Sequence, residues 1–433
     1  MKRALLALLL STLSLAGGAE TIAVVGGTVY TAGPDGTLQN ATIVIRDSQI
    51  VSVMAEGPVP DGAVVLDANG KIVTPGLFTP AGRIGLEEVG NSAGPVDSIQ
   101  RGDNFTAGFE VADAFNPRST LVAINRIEGV TRAAILPSAS SPDGSGMHSR
   151  VISGMAAIAN LGGSDTSIDR RHAALVATLG ERGAGLAGES RASALLELRL
   201  ALDEAIEYRE HADAWQRGEY RDFAHSRADL EALQAVLAGD LALLVHVNRA
   251  SDISALLKLA AEYEALKLIV SGGVEAWMVA EELAAAKVPV IVAPEENLPA
   301  DFDRINARDD NATILVNAGV AIAFADGQAT THNARNITQT AGNAVAEGLS
   351  YEQALEAVTI APARMYGVAD RLGSIEPGKQ ADLVIWPGDP FELANYPEAV
   401  IIGGEAVEMQ SRQTLLRDRY RDVNSTLPPA YRR

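Results

Sequence analysis

"DRLGSIEPGKQADLVIWPGDP", residues 370 to 390, decides how this chain is built. Its apolar run Leu-Val-Ile-Trp is flanked by Pro-Gly turns, the punctuation of a β-strand. A second run, "AVIIGGEAVEM" (399–409), repeats the pattern. The residues before it follow another rhythm. From about Leu77 to Tyr366, strand-like apolar runs alternate with Ala/Leu/Glu-rich helical stretches. "LALLVHV" (241–247) precedes "DISALLKLAAEYEA" (252–265), and "LKLIVSG" (266–272) precedes "VEAWMVAEELAAA" (274–286). "VPVIVAP" (288–294) and "VAIAFADG" (320–327) continue the series. Repeated β/α units of this total length predict a parallel α/β barrel. A doubly wound open sheet is the rival, but no Gly-rich phosphate loop follows a strand.

The N-terminal side mirrors the C-terminal one. "TIAVVGGTVYT" (21–31), "ATIVIRDSQIVSVMAEG" (41–57) and "AVVLDANGKIVT" (63–74) are β-rich runs separated by turn residues. Strands at both ends of a barrel-like middle predict one small β-domain assembled from the two termini. The expected division is a signal peptide over 1–19, a composite β-sandwich from 20–75 and 372–410, a barrel over 76–371 and a tail over 411–433.

Composition narrows the function. The 433 residues are 47% hydrophobic and 21% charged, a globular balance with ample material for a core. A net charge of −20 repels phosphates, which argues against nucleic acid or an anionic membrane as partner and leaves a small molecule. No cysteine is present, so disulfides, thiolate ligands and a cysteine nucleophile are excluded. Met1-Lys2-Arg3, the apolar "ALLALLLSTLSLA" (4–16) and "GGAE" read as a signal peptide cleaved after Ala19. The expectation is an exported, periplasmic protein without a lipid anchor. The basic tail "SRQTLLRDRYRDVNSTLPPAYRR" (411–433) starts helical and reads as a surface appendage or a homo-oligomer contact.

The stretch at 370–390 resembles the C-terminal signature of the amidohydrolase superfamily, in its imidazolonepropionase-like branch. "YEQALEAVTIAPARMYGVADRLG" (351–373) is similar to that family's last barrel helix. "IVTPGLF" (72–78) is similar to its entry into barrel strand 1, and "IEGVTRAAILPSAS" (127–140) to its second strand. The likeness extends over roughly Thr21 to Met409. It implies a (β/α)8 TIM-like barrel with a small composite β-sandwich, and hydrolysis of non-peptide or amide C–N bonds. It also implies a metal site at the C-terminal ends of the strands. Two histidines would come from strand 1, a carboxylated lysine or a glutamate from strand 4, single histidines from strands 5 and 6, and an aspartate from strand 8. The metal would polarise a carbonyl and supply hydroxide, with the aspartate handling the proton.

Set against that pattern, most positions have changed. In "KIVTPGLFTPAGRIG" (71–85), Ala81 and Arg83 occupy the histidine positions of strand 1. No lysine lies between Lys71 and Lys258, and nothing in "LLELRLALDEAIEYRE" (195–210) marks out a glutamate; its carboxylates read as a solvated helix face. His246 survives on strand 5, Ser271 stands at the end of strand 6, and Asp326 survives on strand 8 as the expected catalytic group. His246 reads equally as a ligand or as a satisfied histidine at a strand end. His332, in the next loop, is the other candidate metal ligand, and His148 lies in "SPDGSGMHSR" (141–150). His172, His211 and His225 sit in charged helical or loop contexts and read as structural.

Two ligands are too few for a catalytic zinc site. The expectation is no cofactor, or at most one divalent metal such as Zn, with the binuclear centre absent. Arg83, Ser271 and Glu295 are the candidate ligand contacts, Arg83 either holding a carboxylate or pairing with Asp326, or else standing as a plain surface arginine. Glu295 and Glu296 end strand 7, and Glu87 and Glu88 follow strand 1; either pair could do acid/base work or be merely solvated. No G-x-S-x-G elbow supports a serine hydrolase. Two readings of different class stand: a C–N hydrolase with a reduced metal site or none, and a non-catalytic barrel that binds a ligand or partner.

Overall fold

A computed structural model describes residues 21–88, 96–100, 105–139, 150–163, 167–326 and 331–421. The signal segment 1–19, His148 and the tail beyond residue 421 fall outside the described residues. Among the described residues, no helix is long and apolar enough to cross a membrane.

Five strands come before the barrel: β1 (Thr21–Tyr30), β2 (Thr37–Arg46), β3 (Gln49–Ala55), β4 (Val64–Asp67) and β5 (Ile72–Pro75). The barrel strands are β6 (Leu77–Gly82), β7 (Val130–Ile135), β8 (Ile152–Asn160), β9 (Ile168–Thr178), β10 (Ala242–Val247), β11 (Leu268–Gly272), β12 (Val290–Val292) and β13 (Ile322–Phe324). Three more close the order: β14 (Leu383–Trp386), β15 (Ala399–Ile402) and β16 (Glu405–Ala406).

The two ends of the chain share one sheet, ordered β16-β15-β14-β5-β1-β2-β3, with β4 also on β1. β14, from the stretch quoted first, runs antiparallel to β5 with Leu383 opposite Pro75 and Trp386 opposite Ile72. Trp386 is fully buried and donates its indole N–H to Thr74 Oγ1 at 2.9 Å. A buried indole needs such a partner. The far edge of the sheet bends back: Gly378 N–H donates to Ile50 O at 2.8 Å and Ala381 N–H to Ser48 O at 2.9 Å. The sandwich is therefore one continuous sheet folded over a core that includes Ile43, Ile45, Val73, Leu383 and Ile401.

The chain passes from this sheet to the barrel at Gly76. A Cβ there would collide with the Thr131 side chain of β7, so the glycine of "TPG" allows a close backbone approach. The passage is pinned by Gly76 N–H donating to Asp382 O at 2.9 Å.

The second sheet is a nearly closed barrel, ordered β13-β12-β11-β10-β9-β8-β7-β6, with β13 also packed against β6. Neighbours are parallel except around β8, which is antiparallel to both β7 and β9. This hairpin departs from an unbroken β/α alternation, since among the described residues no helix intervenes between β7, β8 and β9. Alternation along the strands sorts the side chains. Leu243, Val245 and Val270 face the helices, whereas Leu244, Ile269, Ile291 and Ala323 fill the barrel. His246 lies two residues beyond Leu244, so it carries the inward face to the C-terminal rim.

Candidate functional site at the barrel mouth

Strand register builds the site. His246 of β10 lies beside Thr178 of β9 on one side and beside Ser271 of β11 on the other. These three inward positions end adjacent strands at one level, about 5 Å apart. They line an open cleft together with Ala81, Arg83, Arg182, Glu296 and Asp326. Its lower wall is apolar, from Leu136, Val176, Leu244 and Ile291. Of the residues expected at the mouth, Ala81, Arg83, His246, Ser271 and Asp326 are thus brought together.

Two expected contacts lie elsewhere. Glu295 is exposed and turns from the cleft, 3.4 Å from the Thr340 hydroxyl; its neighbour Glu296 faces the cleft instead. Consecutive residues leaving a strand point to opposite sides, so only one of the pair can line the mouth. His332 is exposed in the short 3-10 helix Thr331–Asn336 and is not part of the lining. The segment "LLELRLALDEAIEYRE", read as a helix face, is helical, and strand 4 sits before it. That segment lies inside the helix Arg191–Gln216, while the fourth barrel strand is β9 and ends in Thr178.

The electrostatics of the cleft are dominated by arginine. Arg83 Nε lies 3.6 Å from Glu87 Oε2, and buried Glu87 accepts from the Thr331 hydroxyl. Glu88 instead accepts from Asn116 at 2.6 Å and from the Thr120 N–H at 3.3 Å, at the start of the helix Thr120–Arg126. Neither acid is an acid/base pair with the other. Arg182 donates to Ala139 O at 3.3 Å, and no carboxylate among the described residues lies within ion-pairing distance of it. Arg304 comes from the loop after β12, where it pairs with Glu296 at 3.1 Å and with Asp301 at 2.8 Å. Asp303 ties this loop down, accepting from Arg191 at 2.6 Å.

These charges set the protonation of the site. His246 is pushed down to about 4 by burial first and then by the Arg182 and Arg304 cations, so its imidazole is neutral. Glu296 is shifted the other way, its carboxyl raised by burial against the lowering effect of Arg304. Arg182 is lowered by partial desolvation and by Arg83, although much of its surface remains open to solvent. Of the remaining histidines, His172 contacts Glu110 at 2.8 Å, His211 stacks on Tyr220, and His225 Nδ1 lies 2.5 Å from Glu204.

Arg182, Thr178 and Arg304 were missed by sequence reasoning. The signal available was the end of "ALVATLGER" (174–182), where an apolar strand runs into Thr, Gly and Arg. The β/α rhythm hid it, because β9 follows another strand.

The amidohydrolase family's sequence model matches residues 192–407. An amidohydrolase structure from Thermotoga maritima MSB8 superposes with a TM-score of 0.79 at 26% identity, covering 90% of this chain and 100% of that one. This chain belongs to the amidohydrolase superfamily. Amidohydrolase tasK of Hapsidospora irregularis is 24% identical over 386 residues, 83% of this chain and 38% of that protein. Imidazolonepropionase of Erwinia tasmaniensis is 45% identical over 64 residues, 13% of this chain and 16% of that one. The chain therefore spans well under half the length of these curated relatives. The superfamily membership explains the barrel, the bent sheet and the position of the mouth; the chemistry of this mouth must come from its own residues.

Proposed function

We propose that this protein is an exported amidohydrolase-family hydrolase of a small-molecule C–N bond, working without the family's binuclear metal centre. The observation that carries the reading is the opposed titration of two groups at one mouth. Neutral His246 can accept a proton from water, and Glu296, its carboxyl raised by burial, is the group in the same cleft that can exchange a proton with a leaving nitrogen. Oppositely shifted groups in one cleft are the usual arrangement for acid/base work. Asp326, at the end of the last strand, shares the cleft and can orient the water. Export is supported by the basic n-region and the short apolar run of residues 1–19.

The residues present do not fit a binuclear metal site. Ala81 offers no donor, Arg83 is a cation, and Thr178 and Ser271 stand at strand ends where stronger ligands would be needed. Among the described residues, no three His, Asp or Glu side chains converge to hold an ion. The arginines that keep His246 neutral also oppose a divalent cation at short range.

Elemental analysis of protein purified without chelator or affinity-tag metal should give well under one transition metal per chain. Two tightly held metals would overturn the reading. Ala81→His with Arg83→His should raise uptake little, because Thr178 and Ser271 still supply no strong ligand. Turnover of an amide panel should persist in chelator and fall by roughly 10²-fold or more in His246→Gln. The second reading, ligand binding without turnover, is favoured by the number of altered ligand positions. It predicts no hydrolysis across the same panel.

A further inference from the structure

We propose that the ligand of this mouth is a monoanion with an apolar body, its carboxylate held by Arg182 beside Arg83 and its body lying on Leu136, Val176, Leu244 and Ile291. The proposal rests on the mouth being the ligand site, as in the function proposed above.

The argument starts from charge. The chain as a whole carries −20, so its distant field repels anions. Yet Arg83 and Arg182 line one concave cleft, close enough for each charge to act on the other. Like charges placed together need compensation. Arg83 already faces Glu87 at 3.6 Å, and Arg304 already pairs with Glu296 and Asp301. Among the described residues, Arg182 has only the Ala139 carbonyl as its hydrogen-bond acceptor. One guanidinium fork thus points into the cleft with no carboxylate among the described residues to meet it. A carboxylate matches that fork in geometry and in charge.

Arg182, open to solvent at the rim, offers one guanidinium fork, and one carboxylate matches it. Glu296 and Asp326 line the same cleft, and they would repel a second charge on the ligand. The cleft also has aliphatic walls, and the four side chains Leu136, Val176, Leu244 and Ile291 offer more apolar surface than acetate can cover. The two features share one cleft, since Arg182 donates to Ala139 O and Ala139, Leu136, Val176 and Leu244 line the cleft with the arginines. Acetate alone would leave the apolar wall wet, and a neutral amphiphile would leave Arg182 unmatched.

The probe is hexanoate, compared with hexanamide, hexylamine and acetate by calorimetry or ligand-observed NMR on the full mature protein. Hexanoate should bind at least about ten-fold more tightly than hexanamide, with acetate and hexylamine weaker still. Arg182→Gln should lose at least about ten-fold for hexanoate and leave hexanamide unchanged, while Arg182→Lys retains part of the preference. Circular dichroism of each variant separates loss of binding from loss of fold. Equal binding of hexanoate and hexanamide would overturn the proposal, as would unchanged hexanoate binding in folded Arg182→Gln. Abolition of hexanoate binding by chelator would also overturn it, because the carboxylate would then sit on a metal. Metal content of the same preparation tests the metal-free reading by itself. A metal-free protein indifferent to hexanoate sinks this inference and leaves that reading standing.

Discussion

Arg132→Ala is expected to destabilise the protein by about 3–5 kcal/mol, the cost of breaking a buried ion pair and leaving its partners behind. Arg132 sits on β7, is fully buried, and lies 2.6 Å from Asp169 and 3.2 Å from Asp382. It also donates to Gln380 Oε1 at 2.6 Å. One guanidinium therefore joins two barrel strands to the turn that leads into β14. Asp382 is the aspartate of the "QADLVIW" run, and its carboxyl also accepts from Gly403 N–H at 2.8 Å. Burial raises the Asp382 carboxyl, and Arg132 is what opposes that shift. Without the arginine, two carboxylates share a poorly solvated space with no cation between them. Arg132→Met should be nearly as damaging, since it restores volume but not charge. Adding Asp169→Asn and Asp382→Asn should recover much of the loss, because a neutral cluster no longer needs the cation. Urea unfolding midpoints of the three variants test this. A loss below about 1 kcal/mol for Arg132→Ala would show that the cluster is not what ties the sheet to the barrel.

Asp382 shows which part of the fold could be read from sequence. The run "QADLVIW" announces a strand by its apolar pattern and turn punctuation, and β14 is that strand. The pairing of β14 with β5 follows from having strand patterns at both ends and a helical rhythm between them. The hairpin of β8 and β9 could not be read in this way. "ISGMAAIAN" (152–160) is largely apolar with no alternation, because β8 is buried on both faces. A continuous apolar run gives no direction, so nothing marked it as antiparallel. That one strand obscured the place of strand 4 and hid Thr178 and Arg182. Strand-end residues were better located, because a period of two carries the inward face from Leu244 to His246 and from Ile269 to Ser271. Loop residues were not: whether Glu295 or Glu296 faces the mouth depends on how the chain turns after β12. Arg304, eleven residues past Ala293, reaches the site only because the loop folds back and is held by Asp303.

Stability should fall as pH drops from about 6.5 toward 4, and His246 should account for up to roughly 3 kcal/mol of that fall. The ordinary imidazole value applies in the unfolded chain, whereas in the folded cleft His246 is pushed down to about 4. Between those two values the unfolded chain binds the proton and the folded protein does not. Stability therefore rises with pH across this window. The contribution is fully present above the unfolded value and is lost as pH falls through to the folded one. Two causes are separable. Burial is the larger and persists in any variant that keeps the packing around His246. The Arg182 and Arg304 cations supply the remainder, so Arg182→Gln should raise the imidazole value and soften the acid loss. A bound monoanion beside Arg182 should act in the same direction, which links ligand binding to the protonation of His246. The measurement compares urea midpoints at pH 7 and pH 4.5 for the natural protein and for His246→Gln, with the imidazole titration followed by NMR. His246→Gln should lose markedly less stability between those pH values, since glutamine takes up no proton. An equal loss in both proteins, or an imidazole that titrates near 6.5, would mean that His246 meets bulk water and is not sheltered in the cleft beside the arginines.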